Sequence, residues 1–280
     1  MGFSYGRVVD ICSFYNHFKA VGTWYRTENL MSDQIDTSLG MGKSYGSDSG
    51  AKVLCSIPRE SIRGKRDLAS DKHLLVYGED LWTAYELSWL KPNGLPQVAI
   101  GEFAVPCNST HIVESKSLKL YLNSFNQRSF DSIKALEQVL IEDLSHTVGA
   151  QVEVNLFSLA TYNGYRCISE PKVYCIDNLD ISISSYNPDS SLLCIDGEEE
   201  IKETLCSHLL RTNCPVTNQP DWGSVYVTYR GVNIYRPSLL AYLVSYRLYQ
   251  GFHESCVDQI FHDVLERCYP LELTVSARYL

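Results

Sequence analysis

The stretch Glu114-Ser115-Lys116-Ser117-Leu118-Lys119-Leu120-Tyr121-Leu122-Asn123-Ser124-Phe125 returns, in outline, as Tyr235-Arg236-Pro237-Ser238-Leu239-Leu240-Ala241-Tyr242-Leu243-Val244-Ser245-Tyr246. Ser117-Leu118, Tyr121-Leu122 and Ser124-Phe125 match Ser238-Leu239, Tyr242-Leu243 and Ser245-Tyr246 at one constant offset. In the first copy Leu118, Tyr121, Leu122 and Phe125 fall on one face at helical spacing. A match in both residue type and period implies two copies of one supersecondary unit.

Working outward, the same order of elements surrounds each copy. Upstream, Val98–Val105 reads as a strand, and Leu95-Pro96-Gln97 lines up with Gln219-Pro220-Asp221. Downstream, Phe130-Asp131 lines up with Phe252-His253. Ile133, Leu136, Leu140 and Leu144 repeat at helical spacing between a cap at Asp131 or Ser132 and Gly149. Val257, Ile260, Val264 and Cys268 form the matching stripe, ended by Pro270. Val152, Val154 and Leu156, then Val225, Val227 and Tyr229, then Leu271, Leu273, Val275 and Ala277, alternate as strands do. Each unit is therefore expected to be two strands, two helices and two strands. The fold class is α+β, each unit an antiparallel four-stranded sheet with two helices on one face. The expected division is an N-terminal extension at 1–73, partly loop or disordered, a first module at 74–165 and a second at 166–280. Met31, which opens the Ser-, Gly- and Asp-rich run to Gly50, is a plausible true start. Uncovered sheet edges favour an oligomer.

Composition narrows the function. The 280 residues are 45% hydrophobic and 20% charged, enough to bury a core, and the net charge of -9 argues against a chain that grips nucleic-acid phosphates. No apolar run approaches a membrane span, and the first twenty or so residues are too polar for a signal peptide, so a cytoplasmic protein is expected. The ten cysteines are scattered. With no Cys-x-x-Cys pair a structural zinc site has little support, and most thiols read as small core residues.

Chemistry is expected where the two copies differ. Cys214 and Asp221 stand opposite Leu90 and Gln97, and His253-Glu254 opposite Asp131-Ser132. Cys214 lies in Asn213-Cys214-Pro215-Val216-Thr217-Asn218-Gln219-Pro220-Asp221, a polar loop with two prolines, where a thiol is less expected as filler. Asp221 reads equally as a strand cap or as an acid folded back toward the sulfur. Glu254 in a first helical turn complements the helix dipole, whatever else it does. Glu114-Ser115-Lys116 reads as an acidic cap with solvated neighbours, or as a carboxylate for a ligand with Ser115 and Lys116 meeting phosphate at a helix N-terminus. No Gly-x-Gly-x-x-Gly follows a strand, and Gly40-Met41-Gly42-Lys43-Ser44 only imitates a phosphate loop.

Together, Glu114 through Tyr121, Cys214 through Asp221 and Phe252-His253-Glu254 resemble the 7-cyano-7-deazaguanine reductase family in its long two-module form. The resemblance runs from about Leu74 to Tyr279 and includes Trp82, Tyr85-Glu86-Leu87-Ser88-Trp89 and Gly94-Leu95-Pro96-Gln97. It implies a tandem tunnelling fold, a homodimer, a small deazapurine substrate without direct nucleic-acid binding, and NADPH as cofactor with no metal. It implies Cys214 as nucleophile, Asp221 as acid, and His253 as a catalytic residue that also contacts substrate. Val113, Glu114, Ser115 and Glu254 would line the substrate pocket, and Ser115 and Lys116 would meet the cofactor phosphates. The family's chains usually continue past the last strand with an Arg-Gly-Gly segment, whereas this sequence reads Ala277-Arg278-Tyr279-Leu280, so a binding-only or weakly active relative is the alternative. A tunnelling-fold hydrolase of pterins or GTP is the other.

Overall fold

A computed structural model describes residues 5–12, 50–62, 76–162 and 173–279. The expected loop from Ser32, the phosphate-loop imitation at Gly40–Ser44 and Met31 lie outside the described residues. The elements run β1 (Tyr5–Cys12), β2 (Ser56–Pro58), α1 (Arg59–Ile62), β3 (Val76–Leu90), β4 (Pro96–Pro106), β5 (His111–Val113), α2 (Ser115–Asn123), α3 (Ile133–Val148), β6 (Glu153–Phe157), β7 (Val173–Cys175), β8 (Ile195–Asn213), β9 (Pro220–Ile234), α4 (Arg236–Ser245), α5 (His253–Cys268) and β10 (Glu272–Tyr279).

Eight strands form one sheet in the order β6-β4-β3-β1-β10-β9-β8-β7, and β2 pairs with β5 apart from it. The order divides into two equal runs. In each, a long antiparallel hairpin (β3–β4, β8–β9) leads to two helices, and the strand after them (β6, β10) pairs antiparallel to the hairpin's second strand. The fourth strand differs from expectation in place and direction. It precedes the hairpin instead of following the helices, and it runs parallel to the hairpin's first strand, β1 on β3 and β7 on β8. A parallel pair needs a long connection, whereas an antiparallel one needs only a tight turn. Since β1 comes from the extension, no alternation inside the module could have announced it. β1 also pairs parallel with β10 and so joins the two runs into one sheet.

The repeated residues have repeated jobs. Ser117 Oγ donates to the Glu114 carbonyl (2.7 Å) and accepts from the Cys55 N–H (2.9 Å). Ser238 Oγ donates to the Tyr235 carbonyl (2.7 Å) and accepts from the Cys194 N–H (3.2 Å). Tyr121 donates to Asp143 (2.7 Å), and Tyr242 to Asp263 (2.5 Å), pinning the first helix of each pair to the second. Ser124 and Ser245 each donate back to the carbonyl of that tyrosine. These polar links keep the serines and tyrosines in place, and the leucines beside them are held by burial.

The helices form as their sequences dictate. Ser132 Oγ accepts the Ala135 N–H, Gly149 closes α3 in the left-handed region (φ 69°), and Leu136, Leu140, Leu144 and Val148 face the core. On α5, Val257, Ile260, Phe261, Val264 and Cys268 are buried, and exposed Tyr269 takes the left-handed cap (φ 50°) before Pro270. One apolar cluster runs through both halves. Among the cysteines whose burial is described, Cys107, Cys206, Cys256 and Cys268 are buried, Cys55 and Cys214 are half-buried and Cys175 and Cys194 are exposed, so core filling accounts for half of these.

Candidate active site

The Cys214 loop is the tip of the β8–β9 hairpin. The Cys214 N–H donates to the Gln219 carbonyl (2.8 Å), and the Asn218 N–H donates back to the Cys214 carbonyl (2.9 Å). Asn218 sits at φ 57°, a left-handed position asparagine tolerates better than most residues. The hairpin is then tied to the segment that starts α5. The Asn213 N–H donates to the Tyr249 carbonyl (2.8 Å), and the Gly251 N–H to the Asn213 carbonyl (3.1 Å). This clamp carries His253 to Asp221, with Nε2 3.2 Å from Oδ2. Both side chains are about one-fifth exposed and Cys214 is half-buried, so the three groups are reachable from solvent yet held by backbone.

Tyr279, at the end of β10, fixes the imidazole from below. Its ring stacks on His253 with centroids 3.9 Å apart and planes 6° from parallel. Gly223 makes room for that ring, since a Cβ there would stand 3.1 Å from Tyr279 Cε1. The Tyr279 hydroxyl is buried against the Cys256 thiol with no nitrogen or oxygen partner among the described residues. Burial pushes Cys256 up to about 12, so this second thiol near the site stays protonated. Behind Tyr279, the Tyr242 hydroxyl bridges Tyr246 (2.7 Å) and Asp263 (2.5 Å). Nothing in the sequence singled out Tyr279, one aromatic among the alternating residues of a strand.

Glu254 points the other way from the surface and is buried. Burial raises its carboxyl above the ordinary 4.5, and the charge of Asp80 raises it further, while His253 and Arg59 pull it down. Asp80 and Arg59 are themselves a buried ion pair from the N-terminal half. Arg59 Nε also donates to Ser109 Oγ (2.9 Å), and its backbone N–H donates to the Thr110 carbonyl (3.0 Å). That loop leads through β5 to Glu114, whose N–H is held by the Cys55 carbonyl (3.0 Å). Glu254 thus faces the half of the chain that carries the second motif.

In that motif Val113 and Glu114 are buried while Ser115 and Lys116 are exposed. The Glu114 carboxylate caps α2, accepting the Lys116 N–H (2.9 Å) and the Ser117 N–H (2.8 Å), with Ser115 Oγ at 3.4 Å. The structure therefore joins Asp221 and His253 directly, ties the Cys214 loop to them through backbone, and sets Glu254 toward the half that holds Val113 to Lys116.

A half-buried thiol at a stiffened hairpin tip, with an acid and an oriented imidazole beyond it, suits chemistry that starts with a soft sulfur nucleophile and needs a proton close by. The chain is an α+β protein whose candidate site brings a cysteine loop together with an acid and an imidazole. Residues 45–156 match the family described as nitrile reductase, 7-cyano-7-deazaguanine reductase N-terminal, and residues 220–280 match that described as QueF-like protein. The chain is 46% identical over 253 residues to the NADPH-dependent 7-cyano-7-deazaguanine reductase of Azoarcus sp. (strain BH72), covering 90% of this chain and 89% of that one. It is 45% identical over 253 residues to the protein of the same name from Desulfotalea psychrophila, covering 89% and 90%, and 46% identical to that of Dechloromonas aromatica, covering 90% and 89%. The chain belongs to the NADPH-dependent 7-cyano-7-deazaguanine reductase family.

Proposed function

We propose that this protein reduces the nitrile of 7-cyano-7-deazaguanine to the aminomethyl group with NADPH, through a covalent thioimide on Cys214. The observation that carries the site assignment is the backbone clamp between the Cys214 hairpin and the start of α5, which sets His253 against Asp221. A nitrile carbon is a poor hydride acceptor but a good target for a thiolate. The Cys214 thiol gives its proton to the Asp221 carboxylate, sulfur bonds to that carbon, a C–N π pair moves to nitrogen, and Asp221 passes the proton on to that nitrogen. His253, stacked on Tyr279, assists that proton transfer and contacts the substrate. When bound, NADPH supplies a hydride in each of the reaction's two reductive stages. Between them the nitrogen lone pair would expel the Cys214 sulfur, leaving an imine that would have to be kept from water.

Glu114 and Glu254 suit the N–H-rich edge of a guanine-like ring, because a carboxylate offers two adjacent acceptors. Val113 and Ser115 complete the lining. Exposed Ser115 and Lys116 at the first turn of α2 fit an anionic cofactor, because a hydroxyl and an ammonium group gather there. We place the two modules at 74–165 and 166–280, as a tandem of the tunnelling fold in a cytoplasmic homodimer that binds no nucleic acid directly and feeds tRNA modification. The open edges at β6 and β7 support the dimer, since unpaired edge strands invite pairing or cover. Among the described residues no helix is long and apolar enough to cross a membrane.

Intact-protein mass with and without the nitrile base, followed by NADPH oxidation under turnover, tests the proposal. A covalent adduct that disappears on adding NADPH is expected. Absence of any adduct, with Cys214 unblocked against alkylation, would sink it.

A further inference from the structure

We propose that Cys175, Cys206 and His208 form a zinc-binding site at the outer edge of the sheet. Cys175 closes β7 and is the register partner of Cys206 on β8. Register partners project to the same face of a sheet, and His208, in the irregular stretch of β8 between Ser207 and Leu210, is brought close to both. One ligand atom from each of the three lies within 4.8 Å of the others. A tetrahedral zinc with bonds of about 2.0–2.3 Å separates its donors by somewhat less than that, so small side-chain rotations close the triangle. At about 3.3 Å per residue, His208 lies about 20 Å along β8 from Cys214, so the two sites are separate.

The surroundings fit a metal. His208 Nδ1 bonds Ser224 Oγ (2.8 Å), which fixes the ring and leaves Nε2 as the ligand nitrogen. The His208 N–H donates to Asp177 Oδ2 (2.9 Å), while Asp177 Oδ1 is buried with no hydrogen-bond partner among the described residues. A buried carboxylate oxygen without a donor is costly and is relieved by a nearby cation. Solvent supplies the fourth ligand, and the Asp177 carboxylate, held by the His208 N–H, adds negative charge close to the ligand histidine. Two thiolates and an imidazole select zinc over magnesium or calcium. Both thiols release their protons to solvent on binding, so affinity falls as pH falls. The bound ion clips the three-residue β7 to the sheet, and it occupies the exposed thiol of Cys175.

The test uses the full chain, reduced and stripped with chelator, then titrated with zinc alone against a chromophoric competitor and separately with cobalt(II). Uptake of one ion per chain is expected, with the intense visible absorption of tetrahedral thiolate-bound cobalt and with zinc shielding Cys175 from alkylation. Cys175→Ser and His208→Gln should each weaken zinc by about tenfold or more, whereas Cys214→Ala should bind it unchanged. Cys175 is exposed, so its serine variant folds, as circular dichroism will verify. The site is refuted by a lack of stoichiometric uptake, by equal uptake in Cys175→Ser, or by alkylation of Cys175 at the same rate with and without zinc.

Discussion

At the scale of single residues, the site depends on side chains whose neighbours matter as much as their own chemistry. Cys214 is held by backbone hydrogen bonds that its side chain does not make. Cys214→Ala should therefore leave the urea midpoint within about 1 kcal/mol of the parent while abolishing both adduct and NADPH oxidation. Asp221→Asn keeps the shape but loses the acid, and adduct formation should slow by about a hundredfold or more. Tyr279 separates stacking from hydrogen bonding. Tyr279→Phe keeps the stacked ring and removes a buried hydroxyl that has no nitrogen or oxygen partner among the described residues, so the rate of adduct formation should hold. Tyr279→Leu frees the imidazole, and the same rate should drop about tenfold or more, with an altered pH profile. Glu254 gives a stability prediction with a definite sign. Its carboxyl is raised above 4.5 by burial and by Asp80, so the folded state takes up its proton more readily than the unfolded chain. Its contribution is complete below pH 4.5 and is lost as pH rises through the raised value. Glu254→Gln should accordingly raise the urea midpoint at neutral pH, and the gain should vanish in acid.

At the scale of elements, the two helix pairs are joined by the same tyrosine–aspartate bond in different surroundings. Tyr242 and Asp263 are both fully buried, whereas Asp143 is only half-buried. Removing a donor from a buried carboxylate costs more than removing it from one that water can reach. Tyr242→Phe should cost about 2–3 kcal/mol and Tyr121→Phe about 1 kcal/mol, measured by urea unfolding. These elements were legible because helical stripes and Ser/Tyr spacing are local signals: α3 and α5 lie where Ile133–Val148 and Val257–Cys268 put them. The strand that each run adds in parallel was not legible, since β1 and β7 are brought to their partners by long connections. The zinc ligands were hidden for the same reason, with Cys175 and Cys206 made neighbours only by strand register. Of the candidate site, Cys214, Asp221, His253 and Glu254 stand out in the sequence by their difference between the copies. Tyr279, Gly223 and the Asn213–Gly251 clamp could not, because stacking and backbone hydrogen bonds leave no mark on residue type.

At the scale of the whole molecule, the question is whether one chain can complete its own pocket. The sheet is continuous through β1, and the seam between the halves is where Glu254 meets Asp80 and Arg59. Arg59 is anchored by its N–H to Thr110, a few residues before Glu114 on the way to α2. Both carboxylates assigned to the deazapurine therefore come from one chain, and in the homodimer proposed above the second subunit would cover edges without lending residues. This makes an outcome with two clear alternatives. Cys214→Ala and Glu114→Ala subunits, each inactive alone, are mixed, unfolded and refolded together so that subunits exchange. A pocket built within one chain leaves every mixed dimer with a defect in both sites, and nitrile reduction should stay at the level of the separate variants. A pocket shared across the two-fold axis would instead restore about one quarter of the parent activity, because half of the dimers would be mixed and each would hold one intact site.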